Sequence, residues 1–259
     1  MTAPTTTAAH LLAAETRKLR TVKTTWVVTG VGWLLVVTGA LVGYLVPAMN
    51  LTFDGSARQV AGAIDAIGNN SIIVMIVGVL AITTEFRHGT IGRTLQLVPS
   101  RSRVLAAKLA ASVVYSVAFV ASSLALIAAI LFGLSAANSA PLTGGAAVNT
   151  ALWNAFAGMA LMAVFGVAIG ALIRSQVLAV TLSLIWAFVG EQLIFGFFPR
   201  VGQWLPFQAL NSVFINEDLR AQLPPDMQYL EPRLALAVFV GYVVVMTGLA
   251  ALLMRKRDV

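Results

Sequence analysis

The 259-residue sequence has no cysteine, two histidines, and only 17 basic and 10 acidic side chains. Without cysteine there are no disulfides, thiolate metal sites or cysteine nucleophiles. Charged residues make up 10% of the chain and hydrophobic residues 59%, where soluble domains carry about 25% and about 45–50%. Too few charges are present to coat a water-soluble surface, and the high hydrophobicity excludes a disordered chain. The remaining class is an all-α membrane protein. Six spans of about 20 residues would use roughly 120 residues, which leaves no room for a large soluble domain.

Other absences narrow the chemistry. No G-x-x-x-x-G-K-[ST] occurs, so this chain has no phosphate cradle for ATP. His10 and His88 both lie in connecting segments, which excludes a haem held inside the bilayer by two histidines. No H-E-x-x-H and no paired intramembrane aspartates are present. Ser112, Ser116, Ser122, Ser123 and Ser183 fall within spans, with no histidine at matching depth to act as base. The apolar segments show no alternation in ten-residue units, which speaks against a barrel. The halves do not echo each other as in an inverted-repeat carrier. The expectation is a non-enzymatic conduit or scaffold with no cofactor in this chain.

The hydrophobic runs predict spans at residues 25–46, 67–84, 104–134, 148–173, 177–198 and 233–254 of one transmembrane domain, 1–259. Pro47 stops the first, and residues 48–66 read as a polar connection. Residues 1–10 are small and polar and do not read as a secretory signal. Residues 11–24 are amphipathic, with Leu12, Leu19, Val22 and Trp26 at helix spacing among Arg17, Lys18, Arg20 and Lys23. This reads as an interfacial helix on an anionic leaflet, or otherwise as a basic arm. Gly39 with Gly43, and Gly166 with Gly170, form G-x-x-x-G pairs that permit close helix approach, within one chain or between two.

Basic residues set the orientation. With a cytoplasmic N-terminus, thirteen of the seventeen fall inside, and Arg58, Arg200, Arg220 and Arg233 fall outside. Asp54, Asp65, Glu217, Asp218, Asp226 and Glu231 also fall outside, whereas Glu15, Glu85 and Asp258 fall inside. Both termini are therefore expected in the cytoplasm, with an extracellular connection over 199–232. Its apolar piece, 201–214, is too short to span. Thirteen arginines against four lysines, together with abundant alanine, suggest a GC-rich bacterial genome and so a bacterial cytoplasmic membrane.

Glu191 is the one ionisable residue expected inside a span, beside Gln192. An intramembrane carboxylate is costly and marks a functional candidate. It lines an aqueous cavity, bonds a partner helix or meets a polar substrate; otherwise it reaches the outer interface or pairs with Arg200. Trp186 is a further candidate for such a wall, or ordinary packing.

The connection EFRHGTIGRTLQLVPSRSR, between the second and third spans, is densely charged. Thr84 is expected to cap a short helix over 85–98, with the Glu85 charge at its positive end. Gly89 and Gly92 weaken it and Pro99 ends it, after which Ser100 caps the next helix. On composition alone this is equally an ordinary positive-inside loop.

The stretch TTEFRHGTIGRTLQLVPSRSRVLAAKL resembles the cytoplasmic loop of ABC-2 type transporter permeases. The resemblance rests on Glu85, Gly89, Thr90, Leu95, Pro99, Ser100, Arg101 and Lys108. The N-terminal helix, with Glu15 and Lys18 three apart, is similar to that family's entry helix, and Trp204–Ser212 to its segment after the fifth span. The resemblance implies a permease subunit that exports an amphipathic, drug-like, peptide or lipid-like substrate. ATP and Mg would be held by a separate ATPase subunit present in two copies. It also implies pairing with a second permease, as a homo- or heterodimer, contact with membrane lipids, and no nucleic acid. Glu85, Phe86, Arg87, His88, Gly89 and Thr90 would form the ATPase-coupling helix. Glu15, Arg17, Lys18 and Arg20 would lie along the inner leaflet, and Glu191, Gln192 and Trp186 beside the substrate path. The alternative is a non-transport membrane scaffold whose basic loop binds a different partner.

Overall fold

A computed structural model describes residues 7–45, 52–98, 100–215, 220 and 229–256. Pro47, Pro99, Glu217, Asp218, Asp226, Arg257 and Asp258 lie outside the described residues. All regular structure among the described residues is helical. The elements are α1 (Ala8–Thr21), α2 (Lys23–Leu45), α3 (Ala57–Asn69), α4 (Ser71–Arg87), α5 (Ile91–Leu97), α6 (Arg101–Asn138) and α7 (Ala146–Ile173). They continue with α8 (Gln176–Ile185), a π-helical turn (Trp186–Gly190), α9 (Glu191–Phe197), α10 (Pro199–Gly202), α11 (Pro206–Val213) and α12 (Pro232–Lys256). Six stretches are long and apolar enough to cross a membrane: Lys23–Val42, Ala57–Arg87, Arg101–Asn138, Ala146–Ile173, Gln176–Phe197 and Pro232–Met254. The chain is a multi-pass membrane protein.

Helix α7 is the hub, packed against α3, α4, α6 and α12. Its closest partner is α4, and glycines allow the approach. A Cβ on Gly170 would lie 2.9 Å from the Val79 carbonyl oxygen, and one on Gly166 would strike Met75 backbone. Gly78 meets the Ala163 carbonyl in the same way from the α4 side. Lipid does not drive helices together as water does, so association in a bilayer depends on such close packing. The Gly166–Gly170 pair therefore makes a contact within this chain. On α2, Gly39 makes only ordinary contact with Ala66 of α3.

The second membrane stretch begins earlier than the hydropathy predicts. Residues 57–66 are helical, not a polar connection. Ser56 caps α3 by accepting from the Gln59 N–H, and the buried face of α3 carries Ala61, Ile64, Asp65 and Ile67. Arg58, Gln59 and Asn69 lower the mean hydropathy without disturbing that face. Asp65, assigned to the outside from sequence, is buried in the helix.

Helix α1 ends at Thr21, and Val22 is extended before α2 begins. The starting end of α2, the last turn of α4, the start of α6, the α7–α8 turn and the end of α12 gather at one end of the bundle. There Arg101 donates to the Met254 carbonyl at 2.8 Å, and Arg87 reaches Gln176. At the opposite end, Thr143 N–H donates to the Gly55 carbonyl at 2.8 Å.

The connection after α9 folds back. Helix α11 buries Pro206, Gln208, Ala209, Leu210, Ser212 and Val213, with Leu210 and Phe214 packed among Met75, Phe165 and Phe239. Phe214 sits on Gly68 and Gly158, where a Cβ would collide with its ring.

Candidate functional site

Helix α1 places Glu15 and Lys18 one turn apart, facing α4 and α6. Lys18 Nζ contacts Glu15 Oε1 at 2.5 Å and Glu85 Oε1 at 2.7 Å. Lys108 Nζ contacts Glu85 Oε1 at 2.7 Å and Glu15 Oε2 at 2.8 Å. The four side chains close a ring of alternating charge that ties together α1, α4 and α6. Lys108 is completely buried, and Glu15 and Glu85 are 7% exposed. Lys108 also donates to the Ala81 carbonyl at 3.0 Å, so all three of its donors are used. A buried ammonium is tolerable only when paired and hydrogen-bonded in this way. Glu85 lies in the last turn of α4, the negative end of the helix dipole. The two lysines offset that cost. Burial works against the Lys18 charge, but the hydrogen bonds and ion pairs with Glu15 and Glu85 outweigh it and raise its pKa.

The helix expected over 85–98 is divided. Glu85, Phe86 and Arg87 complete α4, and Thr84 is interior to that helix, not its cap. Gly89 takes φ +64°, a left-handed conformation that suits glycine, and the Thr90 N–H donates to the Glu85 carbonyl at 3.0 Å. The short helix α5 then begins at Ile91. Ser100 occupies the N-cap position of α6, but its hydroxyl meets that of Ser102 and caps no backbone N–H. The six loop residues named from sequence therefore face two ways. Glu85 is in the ion ring, and Phe86 is half-buried under the Arg174 guanidinium, 5.3 Å from its ring centre. Arg87, His88, Gly89 and Thr90 are exposed. On α1, Arg17 and Arg20 are exposed while Glu15 turns inward.

Glu191 is fully buried and its hydrogen bonds stay within the chain. Oε1 accepts from the Trp186 indole N–H at 2.9 Å and the Phe207 N–H at 3.2 Å, and Oε2 accepts from the Gln208 N–H at 2.9 Å. Phe207 and Gln208 are the first N–H donors of α11, because Pro206 has none. A helix start buried away from water needs partners for these groups, and a carboxylate also matches the positive helix end. The other end of α11 is held by Arg220, which donates to the carbonyls of Ser212 at 2.6 Å and Ile215 at 3.3 Å. One carboxylate and one guanidinium thus cap a buried eight-residue helix. The π-helical turn brings Trp186 over Gly190, where a Cβ would lie 2.8 Å from the ring. Gln192 is exposed and borders a small polar cleft with Asn69, Ser71 and Asn211.

Lys108, Arg174 and Arg220 were not singled out as site residues by the sequence. Lys108 carries a signal in retrospect: a lysine two turns into an apolar helix needs a carboxylate, and Glu85 and Glu15 are two of the three acids assigned to that side. Arg174 and Arg220 leave no comparable trace, since each acts on groups brought near by the fold. Among the described residues no cluster of side chains suited to a metal occurs.

A search of curated proteins found no match. A sequence model of the family described as "ABC-2 family transporter protein" matches residues 11–190, from α1 through the π-helical turn. That match takes in the whole ion ring and the α4–α5 loop, covers more than half of the chain, and places this protein in the ABC-2 transporter family.

Proposed function

We propose that this ABC transporter permease subunit exports an amphipathic or lipid-like solute across a bacterial cytoplasmic membrane, with both of its termini in the cytoplasm. ATP and Mg are held by a separate ATPase subunit, present in two copies beside two permeases, and this chain itself hydrolyses nothing. The observation that carries the reading is the ion ring. The exposed turn Arg87–Thr90 and helix α5 dock on the ATPase. Glu85, immediately before that turn, is joined through Lys18 and Lys108 to α1 and α6. A push on the turn therefore reaches the entry helix and the third span as one unit. Arg17 and Arg20 hold α1 against the inner leaflet. Trp186 and Gln192 border the solute path, and Glu191 supports it from behind by fixing α11.

The full chain, solubilised with its native partners, is expected to copurify with a nucleotide-binding subunit and ATP hydrolysis. Glu85→Gln keeps the complex assembled and lowers substrate-stimulated ATP turnover about tenfold. A purified complex with no ATPase, or an E85Q complex that turns over and transports normally, would overturn the coupling role. The scaffold alternative predicts an assembled complex in which no solute stimulates turnover.

A further inference from the structure

An apolar groove of about 480 Å³ opens between α2 and α6, beside the end of α1, within the roughly 300–1,000 Å³ of small-molecule sites. Leu19, Trp26, Trp33, Val114, Ala118 and Phe119 supply most of its wall. Four of its polar side chains, Thr29, Tyr115, Trp33 and Ser122, are engaged with one another or with backbone. The Thr29 hydroxyl donates to the Thr25 carbonyl and lies 2.7 Å from the Tyr115 hydroxyl. Trp33 Nε1 donates to Ser122 Oγ at 3.0 Å, and that hydroxyl donates to the Phe119 carbonyl. Along the stretch from Thr29 to Ser122 the side-chain donors are thus already engaged, so a polar occupant there would lose its own hydrogen bonds on entry. An apolar chain loses none.

The mouth is different in character. Arg20 lines it, and the Trp26 indole N–H donates to the Arg20 carbonyl at 2.7 Å, which holds the ring across the opening. Arg17, one turn before Arg20, and Lys23, one turn before Trp26, are exposed. The single acid in α1 and the first half of α2 is Glu15, which is engaged by Lys18 and Lys108. Positive charge at the rim is therefore not neutralised by a neighbouring carboxylate of these two helices.

We propose that this groove binds an anionic glycerophospholipid, with one acyl chain along Trp33, Val114 and Ala118 and its phosphate against Arg20 and Lys23. The pairing of an apolar slot with a basic rim selects this class over a neutral amphiphile, which would satisfy the slot alone. It also selects it over a second copy of the chain, whose net charge of +7 does not complement a basic rim. The site stands independently of the export reading, since it requires only a chain embedded in a bilayer.

The test uses the full chain reconstituted in vesicles of equal phosphatidylglycerol and phosphatidylcholine. The chain is then extracted in mild detergent, and its bound lipids are counted by native mass spectrometry. Phosphatidylglycerol is expected to be retained over phosphatidylcholine by about fivefold or more, the effect of one basic residue at an anionic surface. Arg20→Glu abolishes the preference, and Ala118→Trp, which fills the slot, removes the bound lipid while leaving the thermal midpoint unchanged. Equal retention of the two lipids, or an undiminished preference in both variants, would overturn the proposal. So would an Ala118→Trp chain that keeps its lipid but loses a dimer, because that result assigns the groove to a second copy.

Discussion

Replacing Lys108 with Met removes an ammonium that no water reaches and leaves Glu15 and Glu85 sharing the half-exposed Lys18. Removing one partner from a buried ion pair typically costs about 3–5 kcal/mol, because the remaining charge stays uncompensated. The detergent-solubilised K108M chain should unfold well below the wild type in a thermal scan. Adding Glu85→Gln to it should recover part of the loss, since the orphaned charge is then gone. Lys18 adds a pH dependence of known sign. Its folded pKa lies above the ordinary value of 10.5, so its contribution is whole below that value and lost as pH rises past the raised one. The gap in thermal midpoint between wild type and Lys18→Met is therefore flat from about pH 7 to about pH 9 and shrinks in stronger alkali. At the other end of the bundle, Glu191→Ala would orphan the Phe207 and Gln208 N–H groups at about 1–3 kcal/mol each. Faster protease cleavage within 199–215 should report it, with Glu191→Gln less affected.

At the scale of helices, the α4–α7 contact admits no side chain at Gly166, whose Cβ would meet Met75 backbone and not a movable side-chain end. Overpacking of this kind costs about 1–3 kcal/mol or more. Gly166→Leu should lower the yield of monodisperse protein, while Gly30→Leu, with nothing within 4 Å, should not. The G-x-x-x-G spacing announced a close approach, yet only the fold says that α4 is the neighbour. Helix α3 was hidden for a related reason. Asp65, Arg58 and Gln59 dilute its hydropathy, although its buried face, apolar except for Asp65, packs on α2 and α7. The start of α5 was misplaced because Glu85 suits the first turn of a helix by charge. The ion ring lets it end one instead, and Gly89 then makes the break. Glu191 was legible as a costly residue, but its task was not, because α11 reaches it only after the chain has turned back.

For the molecule as a whole, the missing cysteine becomes a tool. A single cysteine at His10 should react with a membrane-impermeant thiol reagent only from the cytoplasmic side, and one at Gly144 only from the outside. Both positions are exposed, and an added side chain at Gly144 meets nothing within 4 Å. The same background gives the most direct test of the docking face. His88 is exposed beside Gly89 at the tip of the turn that the ion ring anchors. In the assembled complex, a cysteine at His88 should cross-link to the ATPase subunit through a short thiol-to-lysine reagent, and one at Gly144 should not. An intact complex in which Gly144 links to the ATPase, or in which His88 does not, would contradict the account.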